Sequence, residues 1–434
     1  MARTAVVIGG GLAGCAAALR LARSGWRVTL LERHPRLGGK VGAFAFSWAG
    51  APSGWVDNGQ HVLTKGCTRL RAFLEDIGAG SKVRWQTRLR IPFVSPGGRI
   101  TLLTRWDLPS PLHLLPGALS FDLLSVGERL GLRRALSAAR DAKAGPALDA
   151  MDFAAWLRAR GQGDAALSRF WDPLAYAICN APCAAVGART GLWMVREAFC
   201  RAPDALDLGI PAVPQHELFA PEVAARLLAF GGAVRTGAVV EAILQDGGRA
   251  TGVRFRGGEE LFSDAVVLAV PWEAASALLP GRLSAADALR PGAILSVALK
   301  TDRPVLPEGE DMVALVDSPV QWAFAKPGNV LNLVLSGANA LVDRPGADLI
   351  AMAEAALRER LPRMAGAIVL DAVAMREKRA TFLPGPGSEA LRPRADAAGL
   401  PGLALAGAWT ATGWPATMEG AVRSGEAAAD TLGA

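Results

Sequence analysis

The chain has 434 residues, 51% of them apolar, a formal charge of +7 and a pI near 9.5. That length suits two or three domains, and no uninterrupted apolar run is long enough to predict a membrane-spanning helix. The arginines stand singly among apolar residues instead of clustering with aromatics, which argues against nucleic acid and leaves an anionic membrane surface or no special partner.

The opening stretch, residues 4–26, is apolar but broken by glycines and followed by arginines at helical spacing, so it reads as fold and not as a signal peptide. The cytoplasm is therefore the expected location. "TAVVI" predicts a buried strand over 4–8, short, β-branched and without alternation. Gly9, Gly11 and Gly14 then form G-x-G-x-x-G at the start of a helix whose packing side carries Leu12, Cys15, Ala16, Leu19 and Ala22. A second buried strand, 28–31, ends in Glu32. Gly9 permits the tight turn, Gly11 lets backbone approach a pyrophosphate, and Gly14 lets helix and strand pack closely. The helix N-terminus, beginning at Leu12 and Ala13, offers N–H groups to the phosphates. Glu32 is placed to accept from a ribose 2′-hydroxyl and would repel the extra phosphate of NADP.

"ERHPRLGGKVGAF" follows directly, with a second glycine pair, Gly38 and Gly39, then Lys40. Glycine backbone can approach a phosphate, and either Lys40 or Arg36 can offset its charge. An acid closing the second strand and then G-G-[RK] resembles the flavin amine oxidase and phytoene desaturase superfamily. The resemblance implies an FAD site on Gly9, Gly11, Leu12, Ala13, Gly14, Glu32, Arg33, Gly38, Gly39 and Lys40. It also implies a backbone contact to adenine near Val239, within a helix–turn–strand stretch at 226–255. A buried strand at 265–270 stops at Pro271.

Near the end, "GLALAGAWTATGWPATMEGAVRSGEAAAD" predicts a strand over 403–406, a loop, and a helix from about Thr417. Its early N–H groups, around Met418 and Glu419, and its dipole would face the reduced flavin; Gly420 and Gly425 would let the helix lie on the nucleotide domain. The superfamily uses its "MEGA" sequence in this way, which brings Gly407, Ala408, Thr417, Met418, Glu419 and Ala421 into the expected site. One departure is Ala408, where relatives usually carry an acid; Thr410 is a polar group able to substitute.

Four stretches, "WVDNGQHVL" (55–63), "PLHLLP" (111–116), "FWDPLAYAICNAP" (170–182) and "GWPATMEGAVRSG" (413–425), resemble the hydroxysqualene dehydroxylase family of squalene and hopanoid synthesis. The similarity runs from Ala5 to about Ala429 and is thin between 276 and 385. It implies non-covalent FAD, a long apolar isoprenoid substrate and reductive loss of an allylic hydroxyl; the electron donor stays unnamed. "DNGQH" supplies the polar groups. Asn58, Gly59 and Gln60 are expected near the flavin, His61 as the proton donor, and Asp57 either orienting it or acting itself. The plain alternative is that this loop only holds the ribityl chain. Asp172 reads either as a weaker acid candidate or as an N-cap before "PLAYAI".

The expected fold class is α/β: a Rossmann-type FAD-binding domain of the glutathione-reductase-like kind, plus a mixed-sheet and helical substrate domain. The FAD domain is expected from 1–65, 195–275 and 386–434, and the substrate domain from 66–194 and 276–385. The Leu–Arg pattern of 105–140 suits a helix on the inner face of a membrane as well as an ordinary domain helix. Rival readings are a carotenoid-type desaturase, an amine oxidase (Tyr176 is the only tyrosine for an aromatic cage) and a lipid carrier without FAD. The five cysteines, at 15, 67, 179, 183 and 200, include no CxxC pair, and no two of the four histidines lie three or four apart. Neither set suggests a metal, and the cysteines read as small buried apolar residues.

Overall fold

The computed structural model describes residues 2–49, 53–110, 112–143 and 145–434. Pro111, first residue of the "PLHLLP" stretch, lies outside them. Five parallel strands form the nucleotide sheet in the order Ala233–Arg235, Arg27–Leu31, Thr4–Ile8, Ala265–Leu268, Leu403–Leu405. Strand side chains alternate between faces. Ala5 and Val7 join a core with the helices Leu12–Arg23, Ala220–Ala229 and Met418–Thr431. Val6 and Ile8 join the opposite core, with Val253, Phe255 and Trp272. That second face is covered by a three-stranded antiparallel sheet, Val240–Asp246, Arg249–Phe255 and Glu260–Phe262.

A seven-stranded sheet forms the rest of the frame, in the order Val369–Phe382, Pro291–Thr301, Val330–Leu335, Trp322–Lys326, Met312–Leu315, Arg90–Val94, Ile100–Thr104. All its pairs are antiparallel except Met312–Leu315 with Arg90–Val94. Leu295, Val297 and Leu299 pack under the helix Gly346–Arg360. The other face carries a helical layer whose core holds Phe153, Trp156, Phe170, Trp171 and Phe199.

Three domain boundaries differ from expectation. The helix Thr68–Ile77 packs its Leu70, Phe73, Leu74 and Ile77 into the nucleotide core, while Val195, Ala198 and Phe199 belong to the helical layer. Leu283, Ala286 and Leu289 likewise pack against the nucleotide sheet. The hairpin Ala43–Ser47 with Ser53–Asp57 joins the halves: Val56 packs with Ala298 and Met375 of the large sheet. The chain thus crosses onto the second sheet at 43 and turns at Asp57 into the loop 57–61.

Candidate functional site

Gly9 has φ +110° and donates its N–H to the Leu31 carbonyl at 2.7 Å. A Cβ on Gly9 would lie 2.4 Å from the Ala269 oxygen, and one on Gly14 would lie 1.9 Å from the Gly9 oxygen. Gly11 is different: a Cβ there would meet nothing nearer than the Gly39 Cα at 3.8 Å. The two glycine loops therefore face each other across bare backbone, tied by Gly38 N–H to the Gly10 carbonyl at 2.9 Å. Leu12 and Ala13 begin the helix beside them, with first-turn N–H groups that have no intrahelical partner.

Glu32 is buried and accepts from the N–H groups of Gly10 and His34, both at 2.8 Å. Ala238 N–H donates to the Glu32 carbonyl at 2.9 Å, so Val239 stands beside the end of this strand. The neighbouring cations are placed differently from expectation. Arg33 is exposed and donates to His34 Nε2 at 3.2 Å. Lys40 donates to the carbonyls of Arg379 and, at 3.0 Å, Ala380, so its ammonium is spent on the second sheet. Arg36 has no hydrogen-bond or ion-pair partner among the described residues.

At the C-terminal end Gly407, at φ +140°, donates its N–H to Ser424 Oγ at 2.8 Å. Thr417 is the N-cap of the helix Met418–Thr431, its Oγ1 accepting from Gly420 N–H at 3.2 Å. Ala421 N–H is already engaged by the Thr417 carbonyl at 2.9 Å, so the open donors of this turn are those of Met418 and Glu419. The Glu419 side chain is fully buried and faces the other way: it accepts from Arg69 N–H at 3.1 Å, Leu70 N–H at 2.7 Å and Arg423 Nε at 2.8 Å. Gly425 is where this helix meets the first one, while Gly420 serves its own entry turn, a Cβ there lying 2.5 Å from the Pro415 oxygen.

Arg392, which the sequence does not announce, is buried behind Ala408. Its Nη2 donates to the carbonyls of Ala408 at 3.2 Å and of Thr410 and Trp414 at 2.6 Å, and it pairs with Glu389. Thr410 does not substitute for the missing acid. It is buried and donates its hydroxyl to the Gly407 carbonyl at 3.0 Å.

In the loop 57–61 both Asp57 oxygens act as acceptors. Oδ1 takes the Gln215 N–H at 2.9 Å and Oδ2 pairs with Lys326 Nζ at 2.7 Å. Asn58 N–H donates to the Gly42 carbonyl at 2.9 Å, and Gly59 turns at φ +79°. Gln60 Nε2 donates to the His61 carbonyl at 3.0 Å, while its Oε1 is buried without a partner among the described residues. His61 Nδ1 meets Gln215 Oε1. Burial holds the His61 pKa below its ordinary value; the Gln215 bond and the Asp57 charge oppose that without reversing it. At neutral pH the ring is therefore mostly uncharged, and it has to take up a proton before it can give one. Asp172 is not an N-cap either: it lies inside a continuous helical run and accepts from Cys183 N–H at 2.7 Å.

Trp193 and Trp414 meet edge to face at 4.7 Å between centroids, contact distance for rings, which leaves no gap for an amine between them. Tyr176 lies on the helix Asp172–Cys179, against Gly337. Val62, Ile178, Trp193, Ile210 and Ile294 are partly exposed and pack on the helical-layer core.

The sequence profile of the flavin containing amine oxidoreductases matches residues 12–432. A hydroxysqualene dehydroxylase of Rhodopseudomonas palustris is 32% identical over 449 residues, covering 100% of this chain and 99% of that protein. The chain belongs to this family. It is a flavin-dependent oxidoreductase. A probable zeta-carotene desaturase of Synechococcus elongatus is 30% identical over only 183 residues, 40% of this chain and 37% of that protein. In fold, an oxidoreductase from Methanosarcina mazei has a TM-score of 0.74 at 18% identity, covering 97% of this chain and 98% of that one. The bare backbone at Gly11 and Gly39, the open N–H groups at 418–419 and the unpartnered Gln60 oxygen all fit a flavin nucleotide. Among the described residues no helix of this flavoenzyme is long and apolar enough to cross a membrane.

Proposed function

We propose that this flavoenzyme binds FAD without a covalent link and replaces the allylic hydroxyl of hydroxysqualene by hydrogen, giving squalene for hopanoid synthesis. The observation that carries the reading is the end-to-end similarity to a hydroxysqualene dehydroxylase, against 40% coverage by a carotene desaturase. The closed contact of Trp193 with Trp414 supports an isoprenoid over an amine.

Gly9, Gly11, Leu12, Ala13 and Gly14 would hold the pyrophosphate, Glu32 the adenosine ribose and Val239 the adenine. Loop 57–61 and the turn 417–419 would flank the ring. Cys15, the cysteine beside the glycine turn, is buried, and burial drives its thiol pKa far up, so it stays protonated and unreactive toward a flavin. Reduced FAD supplies the hydride. The balance is R–OH plus a proton plus hydride giving R–H and water, so the chain must deliver one proton to the leaving oxygen and keep bulk water from the cation. His61, once protonated, is the group of the loop able to do so; Asp57 is held as an acceptor by Gln215 and Lys326.

A water-insoluble substrate also asks for a lipid-facing entrance. Trp106, Leu112, Val126 and Leu130 are 57%, 52%, 64% and 57% exposed within one short segment. Arg133 and Arg134 share the exposed face of the helix Val126–Asp141. We place the contact with the inner membrane face there.

The reduced enzyme is to be incubated with hydroxysqualene, and the oxidised enzyme with squalene or phytoene, with products identified by mass. Squalene from the first supports the reading. Desaturated products from the second, with hydroxysqualene untouched, would replace it by the carotenoid-type alternative.

A further inference from the structure

Gln215 opens a one-turn 3₁₀ helix, Gln215–Glu217, and is fully buried. Three of its polar groups reach the loop 57–61. Its N–H donates to Asp57 Oδ1 at 2.9 Å, its Nε2 donates to the Gly59 carbonyl at 2.9 Å, and its Oε1 meets His61 Nδ1. A carbonyl only accepts, so the NH₂ half of the amide has to face Gly59 and the oxygen half has to face His61. The opposite orientation would bring two oxygens together. Since Oε1 also only accepts, the hydrogen between it and Nδ1 belongs to the ring.

We infer that Gln215 is the positioning residue of His61, keeping a proton on Nδ1 so that Nε2 is the only ring nitrogen that gains or loses one. An amide does this without adding charge. A carboxylate behind the ring would favour the imidazolium. The other charged groups nearby are Asp57, itself paired with Lys326 at 2.7 Å, and the next residue, His216, beside Glu217. The ring is thus neutral at pH 7, with its Nε2 lone pair directed away from Gln215. Once protonated it is a stronger acid than an ordinary histidine, and it gives its proton from Nε2. On the dehydroxylation reading proposed above, that is the proton that leaves with the hydroxyl.

The test uses FAD-loaded enzyme with ¹⁵N-labelled histidine; the four histidines make assignment simple, His61 being the signal lost in His61→Gln. At pH 8 the wild type should show His61 protonated at Nδ1 and bare at Nε2. Gln215→Leu should release the Nδ1 proton and let Nε2 carry it. Gln215→Glu should keep the Nδ1 proton and move the ring titration up by roughly one unit or more, the effect of a nearby opposite charge. A wild-type ring protonated at Nε2, or a titration that Gln215→Glu leaves in place, overturns the inference even if Gln215→Leu does not fold. The reaction is read separately from the pH profile with hydroxysqualene. A limb that follows the ring in Gln215→Glu supports the proton role. A limb that stays put while the ring shifts refutes that role and leaves the positioning by Gln215 standing.

Discussion

A Cβ placed on Gly425 would lie 2.1 Å from the carbonyl oxygen of Ala13 and 2.8 Å from the Ala17 nitrogen. The helix Met418–Thr431 is thus pressed, backbone to backbone, onto the helix that follows the glycine turn. Gly425→Ala has to push them apart, and neither backbone can yield as a flexible side chain would. Overpacking of this kind costs about 1–3 kcal/mol. The variant should melt several degrees lower and retain less flavin after gel filtration. An unchanged melting temperature and flavin content would show that the contact is dispensable.

Asp57 and Lys326 join the hairpin to the second sheet, with side chains 6% and 21% exposed. Lys326→Met leaves a buried carboxylate without its cation. Breaking such a pair costs about 3–5 kcal/mol when fully buried, and the partial exposure of Lys326 puts this one at the low end. Asp57→Asn in the Lys326→Met background should recover much of the loss, because no lone charge remains. Urea midpoints of the two single variants and the double variant give the coupling.

The exposed band near residues 106–134 predicts binding to anionic vesicles. Sedimentation with phosphatidylglycerol-containing vesicles should pull down the wild type, less so as salt is raised. Leu130→Glu with Trp106→Ser should abolish it while leaving the unfolding free energy within about 0.5 kcal/mol of the wild type, as expected of surface positions. Equal binding to vesicles by the double variant would remove this face from consideration.

Burial lowers the pKa of His61, His113 and His216 alike. Between the lowered folded values and the unfolded value near 6.5, the unfolded chain binds protons that the folded one does not. Stability should therefore be level above about pH 6.5 and fall as the pH drops through the folded values. Urea midpoints at pH 7.5 and 5.5 test the sign. A higher midpoint at pH 5.5 would mean that these rings are charged in the fold.

Local features were legible in the sequence. The strand, turn, helix and acid of the nucleotide motif depend on neighbours in the chain, and periodicity with glycine spacing places them; the start of the last helix near Thr417 was legible in the same way. Contacts between distant segments were not. Gln215 reaches Asp57 across 158 residues and Lys326 reaches it across 269, and no motif surrounds either. Lys40 looked like a phosphate ligand because its carbonyl partners, at 379 and 380, arrive with a strand far along the chain. The domain edges were misplaced for the same reason: the helix Thr68–Ile77 is recruited to the nucleotide core partly by Glu419, which accepts its first N–H groups.

The pairing of Ala13 with Gly425 also sets an order of events during synthesis. The two residues are separated by 412 positions (425 − 13). At about 5–20 residues per second the ribosome needs roughly 20–80 s to pass from one to the other. Through that interval the small-residue face of the first helix lacks the cover of the last one, and from residue 268 to 403 the edge of the strand Ala265–Leu268 lacks its partner strand. The nascent chain carries a sticky, unfinished nucleotide domain while the second sheet is being made. The nucleotide sheet is therefore completed only when Leu403–Leu405 and the C-terminal helix have been made.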